Sequence, residues 1–116
     1  MGSRWRAVVV DAADPARLAR WWAEVLDYRV IAEENGEVRI GSDPDSWPML
    51  TFCPVAGERA GKNRLHLDLL PGDQAAEVER LVDMGARHVD VGQRNVSWTV
   101  LADPEGNVFC VLRPAG

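Results

Sequence analysis

His66 and Asp68 are the pair in this 116-residue chain whose types and spacing could do chemistry. They sit two apart in Arg64-Leu-His-Leu-Asp-Leu69, which alternates apolar and polar residues like a half-buried strand. On a strand both side chains point to one face, and Leu65, Leu67 and Leu69 are expected to pack under helices on the other. An imidazole beside a carboxylate can take up and return a proton as a general base. The same pair can simply anchor a ligand or a neighbouring strand through hydrogen bonds, and both roles stay open. Cys110 is expected to share their surroundings. A thiol reacts as its thiolate, so it needs a basic or cationic neighbour, and His66 is the evident one. The plain alternative is a buried, inert Cys110.

Five tryptophans are many for this length. Trp21 and Trp22 fall on a helical stripe and are expected in the core. Trp5, Trp47 and Trp98 lie on or beside strands, where an indole either lines an apolar pocket or packs between strands.

Composition narrows the partners. A net charge of −5, with twelve arginines and the single Lys62 scattered along the chain, offers no basic patch for nucleic acid. No apolar run approaches the ~20 residues of a membrane span, so no membrane partner is expected. Two cysteines are too few for a disulfide scaffold. The N-terminal residues look unlike a secretory leader, so a reducing cytoplasm is the expected compartment.

The elements that must position these groups read as a repeat. Trp5 to Val10 is a strand signal. Asp14 then Pro15 suit the N-cap and first turn of a helix. Leu18, Trp21, Trp22, Val25 and Leu26 recur at helical spacing, and Asp27 ends the helix. Tyr28–Glu34 and Glu37–Ile40 flank Asn35-Gly36, a hairpin signal. After a turn at Asp43-Pro44-Asp45-Ser46 comes a fourth strand, Met49–Cys53. The order then recurs: Arg64–Leu69, and a helix capped by Asp73 with Ala75, Val78, Leu81 and Val82 on its stripe and Gly85 at its close. Strands at Arg87–Val91, Ser97–Ala102 and Val108–Arg113 complete it, the last two joined by Asp103-Pro104-Glu105-Gly106.

Asp14 and Asp73 are 59 positions apart, and the two Asp-Pro turns 60, which favours duplication. The expected fold is α+β: one domain over 1–116 made of two tandem βαβββ modules. Module one covers about 5–54, a linker 55–63, and module two about 64–113. One helix cannot cover both faces of a four-stranded sheet. The two sheets are therefore expected to curl into a cup whose inside is the ligand site.

Three segments carry a family resemblance: Val8 to Leu26, Lys62 to Leu69, and Val100-Leu-Ala-Asp-Pro-Glu-Gly-Asn-Val-Phe-Cys-Val-Leu112. Together they resemble the glyoxalase/bleomycin-resistance/dioxygenase (vicinal oxygen chelate) superfamily. That resemblance implies a small-molecule site and a twofold homodimer. Metal enzymes of the group hold a divalent ion with His and Glu from both modules. The matching positions here are Ala7, Leu50 or Thr51, His66 and Cys110, and His88 falls in another strand. One histidine and one cysteine do not make that centre, so neither metal nor cofactor is expected.

Two functions stay open. One is a metal-independent isomerase or lyase acting on a small organic molecule through His66 and Asp68. The other is sequestration of an antibiotic without turnover, as in the bleomycin-resistance branch. The candidate site is His66 and Asp68, with Trp98, Trp47, Thr51 and Cys110 as further ligand contacts.

Overall fold

The computed structural model describes Gly2, residues 4–55, Asn63 and residues 65–115. The chain divides into two compact units, Met1–Arg59 and Ala60–Gly116. The expected linker lies almost wholly outside the described residues, as does Arg64.

Unit one runs β1 (Ala7–Ala12), α1 (Pro15–Leu26), β2 (Arg29–Glu34), β3 (Glu37–Gly41) and β4 (Met49–Pro54). Its sheet has the order β1-β4-β3-β2, with β1 and β4 parallel and the other pairs antiparallel. The start of α1 is local chemistry. The Asp14 carboxylate accepts from the backbone N–H of Arg17 at 3.2 Å, satisfying a donor the first turn leaves open. Its end is Asp27 in the left-handed region, φ 55°, a cap usually left to glycine. Asn35 and Gly36 both have positive φ, as a tight two-residue hairpin turn requires. Leu18, Trp21, Trp22 and Val25 are buried along the helix. Paired Val38–Phe52 and Ile40–Leu50 bury the sheet face that alternation assigns to it.

Unit two repeats the plan with β5 (Asp68–Leu69), α2 (Gln74–Asp83), β6 (Arg87–His88), β7 (Thr99–Ala102) and β8 (Val108–Val111). Its sheet order is β5-β8-β7-β6, with β5 and β8 parallel. Asp73 caps α2 by accepting from Ala76 N–H at 3.0 Å, and Gly85 follows the helix with φ 110°. The fold is α+β, two βαβββ modules, as the repeat predicts. No helix among the described residues is long and apolar enough to cross a membrane.

Several boundaries differ from the sequence reading. β1 starts at Ala7, not Trp5, because Met49 N–H already bonds Arg6 O and the parallel ladder begins there. Trp5 is left 65% exposed, so it is not a core residue. The strand expected over Arg64–Leu69 is regular only at Asp68–Leu69, and Leu65 is 83% exposed instead of packed under a helix. β6 is two residues, not five, and β7 starts at Thr99. On α2, Leu81 is fully buried but Val82 is 38% exposed, and Leu26 on α1 is only half-buried. Each of the two residues stands at the rim of its helical stripe, next to the polar face.

Candidate functional site

The second sheet assembles the site from its parallel pair. Asp68 lies opposite Cys110 across β5 and β8, and Cys110 N–H bonds Leu67 O at 3.0 Å. Side chains opposite each other in register share a face, and His66, two before Asp68, joins them. His66 Nε2 lies 3.1 Å from Asp68 Oδ1, with the two side chains 44% and 53% exposed. The ligand-capable atoms of His66, Asp68 and Cys110 all lie within 4.8 Å of one another. Cys110 itself is buried, packed in an apolar cluster with Val100 and Val108 and flanked by Val89 and Leu112. The floor is thus apolar and the rim polar.

Two features that sequence reasoning passed over hold this geometry. Asn63 uses its side-chain amide as a surrogate backbone. Its Oδ1 accepts from Val108 N–H at 2.8 Å, while its Nδ2 donates to Val108 O at 3.3 Å and to Leu65 O. That amide takes the place on the edge of β8 that a longer β5 would have used. Asp103 is the second feature. The sequence places it in a turn, and the structure buries it fully there. Its Oδ1 accepts from the N–H groups of Glu105 and Asn107, each at 2.9 Å, and its Oδ2 from Asn107 Nδ2 at 2.8 Å. The turn fixes where β8 begins, and so where Cys110 points. The Asp103-to-Asn107 spacing was the visible signal.

The other candidates divide. Thr51 is buried on β4 and Trp47 stands in the turn before it, both in unit one. The Trp47 ring is taken by cations of its own chain, with the guanidinium of Arg4 4.1 Å and that of Arg6 5.4 Å from its centroid. Trp98 is 42% exposed and lines a hollow of about 550 Å³ with His88, Asp90, Gln93 and Val100. Val89 and Val100 belong both to that hollow and to the cluster around Cys110. Cys53, the other thiol, is on β4, where burial and then the charges of Glu37 and Asp11 push its pKa up. That makes it a poor thiolate former. Neither cysteine is in a disulfide.

The two modules define a paired-βαβββ protein, with an exposed histidine and carboxylate in the second. The glyoxalase-like domain model matches residues 7–112, and the chain belongs to that family. Solved structures agree on the fold. The trypanothione-dependent glyoxalase I of Leishmania major is 16% identical with a TM-score of 0.70, covering 97% of this chain and 87% of its own. Oxidase ChaP-H1 is 19% identical with a TM-score of 0.67, covering 98% of each chain. A glyoxalase/bleomycin resistance protein/dioxygenase family enzyme from Burkholderia phytofirmans PsJN is 17% identical with a TM-score of 0.63, covering 92% of this chain and 95% of its own. No curated protein matches the sequence.

The metal centre associated with this superfamily does not fit these residues. Ala7 and Leu50 offer no donor side chain, and Thr51 offers only a buried hydroxyl. Such an ion needs hard or borderline ligands on both sides to chelate substrate oxygens. In the second module, however, the donors number three, because Asp68 stands beside His66 and Cys110. The family positions alone supply two of these donors, and Asp68 is the third.

Proposed function

We propose that the chain binds a small oxygenated organic molecule over the open face of the second sheet, with His66 moving a proton on it. The observation that carries this reading is the His66 Nε2 to Asp68 Oδ1 separation of 3.1 Å at a half-exposed position above an apolar floor. When His66 is neutral, Asp68 favours the tautomer with the proton on Nε2, which leaves Nδ1 with the free lone pair. Nδ1 can then take a proton from a carbon next to a carbonyl. Asp68 stabilises the imidazolium while it lasts. With a hydroxycarbonyl, returning the proton to the old carbonyl carbon, while the hydroxyl proton passes through solvent to the old carbonyl oxygen, completes an isomerisation. If instead the carbon on the far side of the enolate loses a leaving group with its bonding pair, the step completes an elimination and the imidazolium gives its proton to that group or to solvent. Neither route needs a metal.

A second reading, sequestration without turnover, is favoured by the exposed Trp98 beside its hollow, which offers a stacking surface to a planar ligand. Both readings take the chain to be a cytoplasmic homodimer, and the dimer is supported by the edges that each sheet has by itself, β1 and β2 or β5 and β6.

The test uses metal-stripped protein and a panel of hydroxycarbonyl metabolites and planar antibiotics. Affinity comes from calorimetry and proton exchange from deuterium incorporation in heavy water. His66→Ala should keep the fold but weaken binding by ~1–3 kcal/mol, the cost of a desolvated ligand group left unpaired. It should also abolish deuterium uptake. Unchanged affinity removes His66 from the site; binding with no uptake in the native chain selects sequestration.

A further inference from the structure

We propose that His66, Asp68 and Cys110 form a three-donor site for a thiophilic divalent cation of the zinc type, built within the second module alone. The site shares the His66 and Cys110 positions with the two-module chelating centre rejected above and differs in adding Asp68 as a third donor. It takes nothing from the first module, and its Cys110 thiolate is a softer donor than the carboxylate it stands in for. Three observations support it. The donor atoms lie within 4.8 Å of one another. Bound to one zinc at ~2.0–2.3 Å, adjacent tetrahedral ligands stand roughly 3.3–3.8 Å apart, so a small rotation of these side chains closes the set. The His66–Asp68 separation of 3.1 Å is already close to such an edge.

The backbone is the second support. The β5–β8 register fixes Asp68 opposite Cys110, so assembling the donors needs no chain movement. Charge is the third. A carboxylate, a thiolate and a neutral imidazole cancel a dication. Val100 and Val108 around Cys110 lower the local dielectric, which strengthens that attraction. A thiolate ligand excludes magnesium and calcium, which demand oxygen. Three protein donors leave a fourth position open to water or a ligand atom.

One consequence rests on the proposed function: regulation. A neutral imidazole has a single in-plane lone pair, so His66 can hold the cation or receive a substrate proton, not both. Zinc would therefore switch the proton transfer off.

The test is cobalt(II) added to metal-stripped full-length protein, because cobalt–thiolate bonds give near-ultraviolet charge-transfer bands that zinc then displaces. One equivalent should produce the band. Cys110→Ser should remove it, and Cys53→Ser should leave it intact. Asp68→Asn, at an exposed position and with its folding checked by thermal melt, should weaken cobalt binding by roughly 10–100-fold or more, at least the cost of losing an outer-shell partner. No band at one equivalent, or a band that survives Cys110→Ser, overturns the site. Cobalt bound with the band intact after Asp68→Asn at full affinity overturns the three-donor set. The spectrum reads the metal whether or not an organic ligand is found. A failed ligand panel therefore sinks the proposed function and leaves this result standing, and the reverse also holds.

Discussion

The two modules share an order of elements and differ in how they spend their backbone. In the first, the four strands run five or six residues each and α1 buries six side chains. In the second, β5 and β6 shrink to two residues and α2 fully buries Leu81 alone. Yet the group of His, Asp and Cys donors found among the described residues lies wholly in the second module. The difference teaches that one copy of a duplicated unit can serve as scaffold while the other gives up regular pairing. His66 escapes the ladder because Asn63 occupies it.

That contrast can be broken by core truncation. Phe52→Ala in the first module should cost ~3–5 kcal/mol and Leu81→Ala in the second ~2–5 kcal/mol, both fully buried side chains. Val82→Ala, on the same helix but 38% exposed, should cost far less. Chemical denaturation of the three variants checks the order. A Val82→Ala loss equal to that of Leu81→Ala would mean the second helix is covered in solution, and the modules would be alike after all.

The matched turns sharpen the contrast at smaller scale. Asp103 is fully buried and collects donors from Glu105 and Asn107, so Asp103→Ala should destabilise by about 2–3 kcal/mol. Asp43 is exposed and accepts from Asp45 N–H and Ser46 Oγ, each at 2.8 Å. Asp43→Ala should cost clearly less. Equal losses in thermal melts would remove the distinction between a structural turn and a surface one.

The smallest effect is a pH dependence. The Ser46 hydroxyl, then Asp45 N–H, lower the Asp43 pKa below its ordinary value of 3.8. A carboxylate depressed by folding contributes stability that is fully present above the unfolded value and is lost as pH falls through the folded one. Below pH 4 the native chain should therefore lose slightly more stability than Ser46→Ala, in which the main cause of the shift is gone. Parallel slopes for the two proteins between pH 5 and 2 would refute it.

The duplicated plan was legible because its signals are local: Asp14 and Asp73 at the caps, Asn35-Gly36 at the hairpin, matched Asp-Pro turns. Boundaries were less so. Nothing local to Arg64–Leu69 says that Asn63, well before it pairs, will claim the β8 edge and leave Leu65 in solvent. The alternation of that segment was a true guide to the shared face of His66 and Asp68 and a false one to the packing of Leu65, while Leu67 and Leu69 are half-buried. Trp47 was unreadable for a similar reason. Its partners Arg4 and Arg6 lie some forty residues away, so no periodicity links them. Cys110 could be placed near His66 only through the strand correspondence, and the buried role of Asp103 needed the hairpin in three dimensions.

Trp21 and Trp22 meet edge to face, with centroids 5.0 Å apart and rings 82° from parallel. Two indoles at that distance, neither stacked nor coplanar, couple their electronic transitions and rotate ultraviolet light far more than either would alone. The first module therefore carries its own optical label, silent about the second. Circular dichroism of that couplet reports whether the scaffold is folded, while cobalt absorption reports on the site proposed in the second module.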